Sequence, residues 1–313
     1  MSAIFSKKMS QKKIKPVFII GSPRSGTSVL TWAIGQHPNI KQTPETVWIV
    51  SLLSGAFLSY VKGSERGRFS HLSNVDYSLS RFFERVGESI DTVVDDAFSE
   101  RCKLLYGETG YASRNPKNYE IKRSQDEPKS RWVDGTPLNT HYIWALSIAF
   151  PEAKFLHTLR DPLDVALSLA NFDRVGGDAV SLELEKGLEE WMVHTRRARL
   201  AERALGSGKV LRVNYSQIES EPGKIMRQIY DFLGEEHAPD SLLPFNERVN
   251  SSRGVKKDHL SPWARLKTRL LLRPARDLYN EIQNSYVGMH ENIALEEMKK
   301  HFEENLRGKS LIG

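Results

Sequence analysis

Pro16-Val17-Phe18-Ile19-Ile20-Gly21-Ser22-Pro23-Arg24-Ser25-Gly26-Thr27-Ser28 decides the reading of this chain. A short continuous apolar run closed by a glycine reads as a strand buried on both faces, the habit of parallel sheets. A helix is expected next, over 26–36, ending before His37-Pro38. Strand, glycine turn and helix together make an anion cradle, because the first N–H groups of the helix point at whatever sits in the turn. Gly21 and Gly26 stand five apart and Ser28 supplies a hydroxyl, as in a Walker A loop. The Walker lysine position, however, holds Thr27. Without that lysine, turnover of a nucleoside triphosphate by a P-loop kinase or NTPase is disfavoured. Arg24 offers a permanently charged fork to an oxyanion instead.

The rest of the chain follows the same pattern. Lys154 to Arg160 reads as a second strong strand, Lys209 to Val213 as a third, and Arg131 to Asp134 as a short one. Helices are expected over 45–61, 78–105, 138–149, 162–172, 180–205 and 222–233, with 106–130 as a polar surface excursion. Strands alternating with helices imply an α/β fold, a central parallel sheet flanked by helices, of the P-loop-containing nucleotide-binding type. No repeat or low-complexity linker divides it. The expected layout is a disordered basic arm over 1–15 and one domain over 16–313, with an insertion at about 60–130 and a helical region at about 255–313.

Arg160 ends the second strand, and Ser168 lies eight residues on, in the helix after Asp161-Pro162. Ligands of open parallel sheets bind at the carboxyl ends of strands. Arg160 and the glycine loop therefore share one edge, and two anion sites suggest a nucleotide with separated phosphates.

Composition excludes more than it identifies. The 313 residues are 39% hydrophobic and 27% charged, an ordinary globular balance. Cys102 is the lone cysteine, so no internal disulfide forms. The net charge of +6 is concentrated in Lys7, Lys8, Lys12, Lys13 and Lys15, and in residues 253–276 with eight Lys/Arg against one Asp. The two clusters contribute +5 and +7, so the rest of the chain sums to about −6. No nucleic-acid-binding pattern appears, so no nucleic acid partner is expected. No carboxylate–histidine cluster has ligand spacing, so no metal is expected. Trp263, Leu266, Leu270 and Leu271 lie on one side of a basic amphipathic helix over 261–273. Packing on the core, a lid, and weak contact with a membrane surface are its alternatives.

Taken together, these segments resemble the sulfotransferases that use 3′-phosphoadenosine 5′-phosphosulfate (PAPS). Pro23 to Thr27 resembles the family's 5′-phosphosulfate loop in its arginine form. Residues 159–168 resemble its 3′-phosphate motif, with Arg160 and Ser168 at the family spacing. Residues 36–40 and 212–215 are also similar to family segments. The resemblance covers about 16–235. It implies that Ser22, Pro23, Arg24, Ser25, Gly26, Thr27 and Ser28 hold the 5′-phosphosulfate and that Arg160 and Ser168 hold the 3′-phosphate. It further implies that Tyr215 contacts the nucleotide and that Arg253 and Gly254 close over the 3′-phosphate.

In-line sulfuryl transfer to a hydroxyl needs positioning, charge stabilisation and a general base. Glu45, in Thr43-Pro44-Glu45-Thr46, stands 21 residues after Arg24, the offset of the catalytic glutamate in tyrosylprotein sulfotransferases. Arg24 is the other catalytic candidate. His141 is the rival base, while His37 reads as a turn residue and His157 as a packed strand residue. Gly135 departs from the family, whose members often carry lysine in that Trp-Val-x-Lys-Thr-Pro segment. The expected acceptor is a hydroxyl-bearing carbohydrate, peptide or small metabolite, and the expected compartment the cytoplasm. A catalytically inactive nucleotide-binding protein is the non-enzyme alternative.

Overall fold

The computed structural model describes residues 14–111, 123–170, 184–246 and 262–308. In chain order the elements are β1 (Val17–Gly21), α1 (Thr27–Gly35), β2 (Ile40–Gln42), α2 (Val47–Ser64), α3 (Leu79–Tyr106), β3 (Arg131–Asp134) and α4 (Ile143–Ala149). Then come β4 (Lys154–Leu159), α5 (Pro162–Ala170), α6 (Leu184–Leu205), β5 (Val210–Asn214), α7 (Tyr215–Ser220), α8 (Pro222–Leu233), α9 (Pro262–Gln283) and α10 (Asn292–Gly308). The strands form a parallel five-stranded sheet in the order β2-β3-β1-β4-β5. The α/β architecture expected from alternation is therefore the one observed.

Alternating side chains of the buried strands feed two cores. Val17 and Ile19 of β1 join Val133, Leu156 and Val213 under α1 and α8. Phe18 and Ile20 face the other way, into a cluster built with α2, α3, α4, α6 and α10. Phe18 meets Trp132 edge-on at 5.3 Å and stacks on Phe155 at 5.6 Å.

Three details depart from the sequence reading. First, β2 is a strand that the sequence does not announce. Its Lys41 is buried because Asp95 pairs with it and the Phe98 ring lies 5.5 Å from its ammonium. Second, the helix expected over 138–149 is broken: Pro137–His141 is a tight 3₁₀ turn, and α4 begins at Ile143. Third, α9 runs well past residue 273. Its Leu270, expected on the packed side, is exposed, while Leu271, Leu272, Ala275 and Ile282 pack toward α5 and α6.

Two buried charge groups hold the fold. Glu202 of α6, fully buried, accepts from His157 Nδ1 at 2.7 Å, Arg212 Nε at 2.7 Å and Arg199 Nη1 at 2.8 Å. Burial opposes its ionisation, but His157 and Arg212 hold its carboxyl well below the usual carboxylate range. Arg212 also donates to the carbonyls of Ile282 and Ser285, which fastens the end of α9 to β5. At the foot of α1, the buried Lys129 ammonium donates to the carbonyls of Gly35, His37 and Ile40 at 3.0, 2.8 and 3.1 Å.

Candidate functional site

The carboxyl edge of the sheet gathers residues from five separate loops. Across it lie, in strand order, Glu45 after β2, Asp134 at the end of β3, the Arg24 loop after β1, Arg160 after β4 and Tyr215 after β5. Neighbouring strands stand about 4.8 Å apart, so β2, which leads to Glu45, and β1, which leads to the Arg24 loop, run about 10 Å apart with β3 between them.

The loop is tightly built. Gly21 N–H donates to Thr140 Oγ1 at 2.9 Å, and the same hydroxyl donates back to Gly21 O at 3.1 Å. Ser25 is fully engaged: its N–H and hydroxyl both reach Ser22 O, and its hydroxyl shares a 2.9 Å hydrogen bond with Thr158 Oγ1. Arg24 sits at φ 66°, in the left-handed region that costs a non-glycine residue roughly 1–2 kcal/mol. Such strain is retained where surrounding structure over-determines it, and it clusters at functional sites. Gly26 caps α1 at φ 95° and has no side chain to accept from the first N–H groups of the helix. Those N–H groups carry the positive end of the α1 dipole, and the first turn holds no acid.

Arg24 and Arg160 converge. Arg24 Nε donates to Ser168 Oγ at 2.9 Å. Arg160 Nη1 donates to the Arg24 carbonyl at 3.0 Å. These contacts join residues 144 and 136 positions apart in the chain. The Arg160 guanidinium lies 4.1 Å from the Tyr215 ring centroid, a cation–π stack. Its Nε is buried with no hydrogen-bond partner among the described residues. Trp191 Nε1 donates to Arg160 O at 3.0 Å and fixes the backbone from behind. The Tyr215 ring also covers Gly26: a Cβ there would stand 2.5 Å from two ring carbons. Burial, with Glu219 nearby, raises the Tyr215 hydroxyl above its ordinary range against the pull of Arg160.

Beside β1, Asp134 is completely buried. Its Oδ1 accepts from Thr136 N–H at 2.9 Å and Thr136 Oγ1 at 2.6 Å; its Oδ2 accepts from Asn139 Nδ2 at 2.6 Å and from the Thr46 hydroxyl. Burial raises the carboxyl above its ordinary value, and the hydrogen bonds oppose that rise. Thr46 N–H donates to Thr136 Oγ1 at 2.7 Å. The network thus pins the residue next to Glu45. Glu45 itself is exposed and precedes α2, rather than opening it, because Thr46 caps the helix in a non-helical conformation. Gly135 is tightly packed: a Cβ there would meet Thr31 Oγ1 at 2.1 Å and Thr27 O at 3.2 Å. The space a lysine would need is taken by α1.

The histidines separate clearly. His37 Nε2 donates to Glu236 O at 2.9 Å, and its Nδ1 accepts from Asn39 N–H at 3.0 Å, so it serves the turn. It borders a cleft of about 350 Å³ at the amino edge of the sheet, with Gln36, Asn39, Glu235 and Asp240, away from Arg24. His157 belongs to the Glu202 cluster. His141 faces His194 with their Nε2 atoms 3.2 Å apart. Burial lowers the basicity of His194, and its Nδ1 donates to Glu190 O at 3.1 Å.

Of the residues singled out in the sequence, the structure brings Ser22, Pro23, Arg24, Ser25, Gly26, Thr27, Arg160, Ser168 and Tyr215 to one crevice, with Ser28 exposed at its lip. Arg253 and Gly254 lie outside the described residues. Thr140, Thr158 and Trp191 were not legible as site residues, because only tertiary packing carries them there.

Residues 16–239 match the sulfotransferase family. The chain belongs to that family. A protein-tyrosine sulfotransferase 1 of Danio rerio is 24% identical over 253 residues, 78% of this chain and 59% of its own length. An uncharacterized protein of Aquifex aeolicus is 25% identical over 241 residues, 75% of this chain and 26% of its own. The chain thus spans only part of the curated relatives it matches. The solved sulfotransferase domain of the Synechococcus PCC 7002 olefin synthase is 17% identical, with a TM-score of 0.45 and 98% of each chain covered. The family's matched segment contains every element of the sheet and the crevice at its carboxyl edge.

Proposed function

We propose that this sulfotransferase takes its sulfuryl group from PAPS and passes it to an acceptor hydroxyl by in-line displacement, with Glu45 as general base. The observation that carries the reading is the joining of Arg24, Ser168 and Arg160 at one crevice. The residues fit a bisphosphate nucleotide. Arg160 keeps a buried Nε unpartnered among the described residues and aligns its guanidinium on Tyr215. The uncapped start of α1 presents N–H groups to a second anion. A donor bound there supplies an activated sulfuryl group on a phosphate leaving group.

The chain's own residues do the rest. Arg24 and the first N–H groups of α1 meet the charge that grows on the leaving phosphate, where preorganised donors count most. Arg160 and Ser168 hold the 3′-phosphate, the group that separates this donor from ATP. Glu45, exposed beside the crevice and held through Thr46 by Asp134, takes the acceptor proton as the hydroxyl attacks. The acceptor class is a hydroxyl on a carbohydrate, peptide or small metabolite. The zebrafish relative, by its name, acts on protein tyrosine.

Calorimetry with adenosine 3′,5′-bisphosphate, 5′-AMP and ATP tests the nucleotide half. A strong preference for the bisphosphate that disappears in Arg160→Ala is the expected result, and equal binding of AMP overturns it. Transfer from labelled PAPS tests the base. Glu45→Gln should lower turnover roughly 10²–10⁴-fold with bisphosphate affinity intact.

A further inference from the structure

Helix α2 carries an apolar face left uncovered among the described residues. From Thr46 to Val61 the sequence has no Asp, Glu, Lys or Arg. Only five of the helix's 18 residues are buried: Ile49, Val50, Leu53, Ser54 and Ala56. Val47, Trp48, Leu52, Leu58 and Val61 are 39–47% exposed, in contrast to the completely buried Ile49 and Leu53. At about 100° per residue the two sets fall on opposite sides of the helix. Ser51, Gly55, Ser59 and Lys62 lie among the exposed set. An exposed face carrying five large apolar side chains among small residues marks an interaction site.

By length and composition the helix could cross a membrane. Its buried face, however, is part of the main core beside Phe83 and Trp144. It can lie along a lipid surface but cannot leave the domain to span one. Beyond its C-terminus come exposed Arg66 and Arg68, and Phe69 at 76% exposure with the Arg68 guanidinium 4.9 Å from its ring. Glu65, paired to Lys62 at 3.1 Å, offsets one of the three cations and leaves the segment positive. An uncharged apolar face ending in exposed cations and an exposed aromatic is the composition of an interfacial anchor.

We propose that α2, with the Lys62–Phe69 segment, docks on an anionic lipid surface. Charge favours this occupant, and so does size. The face is roughly 27 Å long and ~10 Å wide, some ~270 Å². A stable interface with a second copy needs roughly 800 Å² per partner. Lipid binding is a property of this face whatever the role of Glu45. Because α2 starts two residues after Glu45, docking brings the carboxyl edge of the sheet to the lipid boundary.

The test is co-sedimentation of the full chain with phosphatidylcholine vesicles, with and without phosphatidylglycerol. The full chain should bind the phosphatidylglycerol vesicles, and L52S/L58S should lower that affinity about fivefold or more, since each leucine contributes apolar contact with the bilayer. Circular dichroism and thermal midpoint report whether the variant is folded. K62E/R66E/R68E, all at exposed positions, should remove the preference for anionic vesicles independently of the apolar change. The N-terminal lysines Lys7, Lys8, Lys12, Lys13 and Lys15 are a second cationic source. Binding that survives both variants belongs to that arm and overturns the proposal. Absence of vesicle binding also overturns it, as does a dimer in sedimentation that L52S/L58S dissociates without vesicle binding.

Discussion

Gly26→Ala perturbs the site at a single atom, and the structure gives its size. The backbone there has φ 95°, and the added Cβ would stand 2.5 Å from two carbons of the Tyr215 ring. Holding an L-residue in left-handed backbone costs roughly 1–2 kcal/mol. Displacing a packed ring adds roughly 1–3 kcal/mol, as in other overpacked sites. The ring cannot move without loosening its stack on Arg160, 4.1 Å away. The single variant should therefore lose about 2–5 kcal/mol of stability. In a Tyr215→Ala background the collision is gone and only the backbone cost of roughly 1–2 kcal/mol remains. Denaturant midpoints of the four proteins of this double-mutant cycle measure the difference. Calorimetry with adenosine 3′,5′-bisphosphate should show weakened binding in Gly26→Ala. An equal stability loss in both backgrounds refutes the argument, because the ring would then have no part in the cost.

Glu202→Gln leaves the charges of Arg212 and Arg199 without their buried carboxylate and should cost about 3–5 kcal/mol. Thermal unfolding measures the loss, and hydrogen exchange should rise around residues 282–285, which Arg212 holds. The depressed Glu202 carboxyl gives stability that is present above the unfolded-state value and lost as pH falls, so Glu202→Gln should flatten the acid limb of the stability profile. His37 and His194, both lowered by burial, act in a different window. Their contribution is complete above pH 6.5 and is lost as the pH falls below it, and His194→Gln should reduce that slope in thermal shift. Asp134→Asn keeps the shape but weakens the acceptor set that pins Thr46. It should lower turnover roughly 10–100-fold with bisphosphate affinity unchanged, and a matching loss of affinity would contradict a positioning role.

The sheet was legible where strands are buried on both faces, since Val17 to Ile20 reads as a continuous apolar run and β4 carries Phe155, Leu156 and Leu159 around His157 and Thr158. β2 was not, because its Lys41 becomes a core residue only once Asp95 and Phe98 arrive from α3. The break after His141 has no local signal in the sequence, because the turn is held by Asp134, whose hydrogen bonds to Thr136 and Asn139 outweigh local helix propensity. In the site, Arg24, Arg160 and Ser168 were visible through motif spacing. Thr140 and Trp191 had no such signal: a lone threonine in a 3₁₀ turn and a tryptophan in mid-helix acquire their roles from Gly21 and Arg160, 119 and 31 residues away. The exposed side of α2 was concealed by composition, because an apolar helix reads as core until its neighbours are known.

The Lys129 ammonium beneath α1 has a mechanical consequence. One nine-residue helix is clamped at its carboxyl end by a cation from the 123–130 segment and at its amino end presents its N–H groups to an incoming anion. Both act on the same peptide ladder from opposite ends. The helix works as a strut whose lower footing is built into the fold and whose upper footing, in the proposed function, is the bound anion. Through Lys129 that strut is tied to the backbone of His37 and Ile40, at the opposite end of α1 from the Arg24 loop.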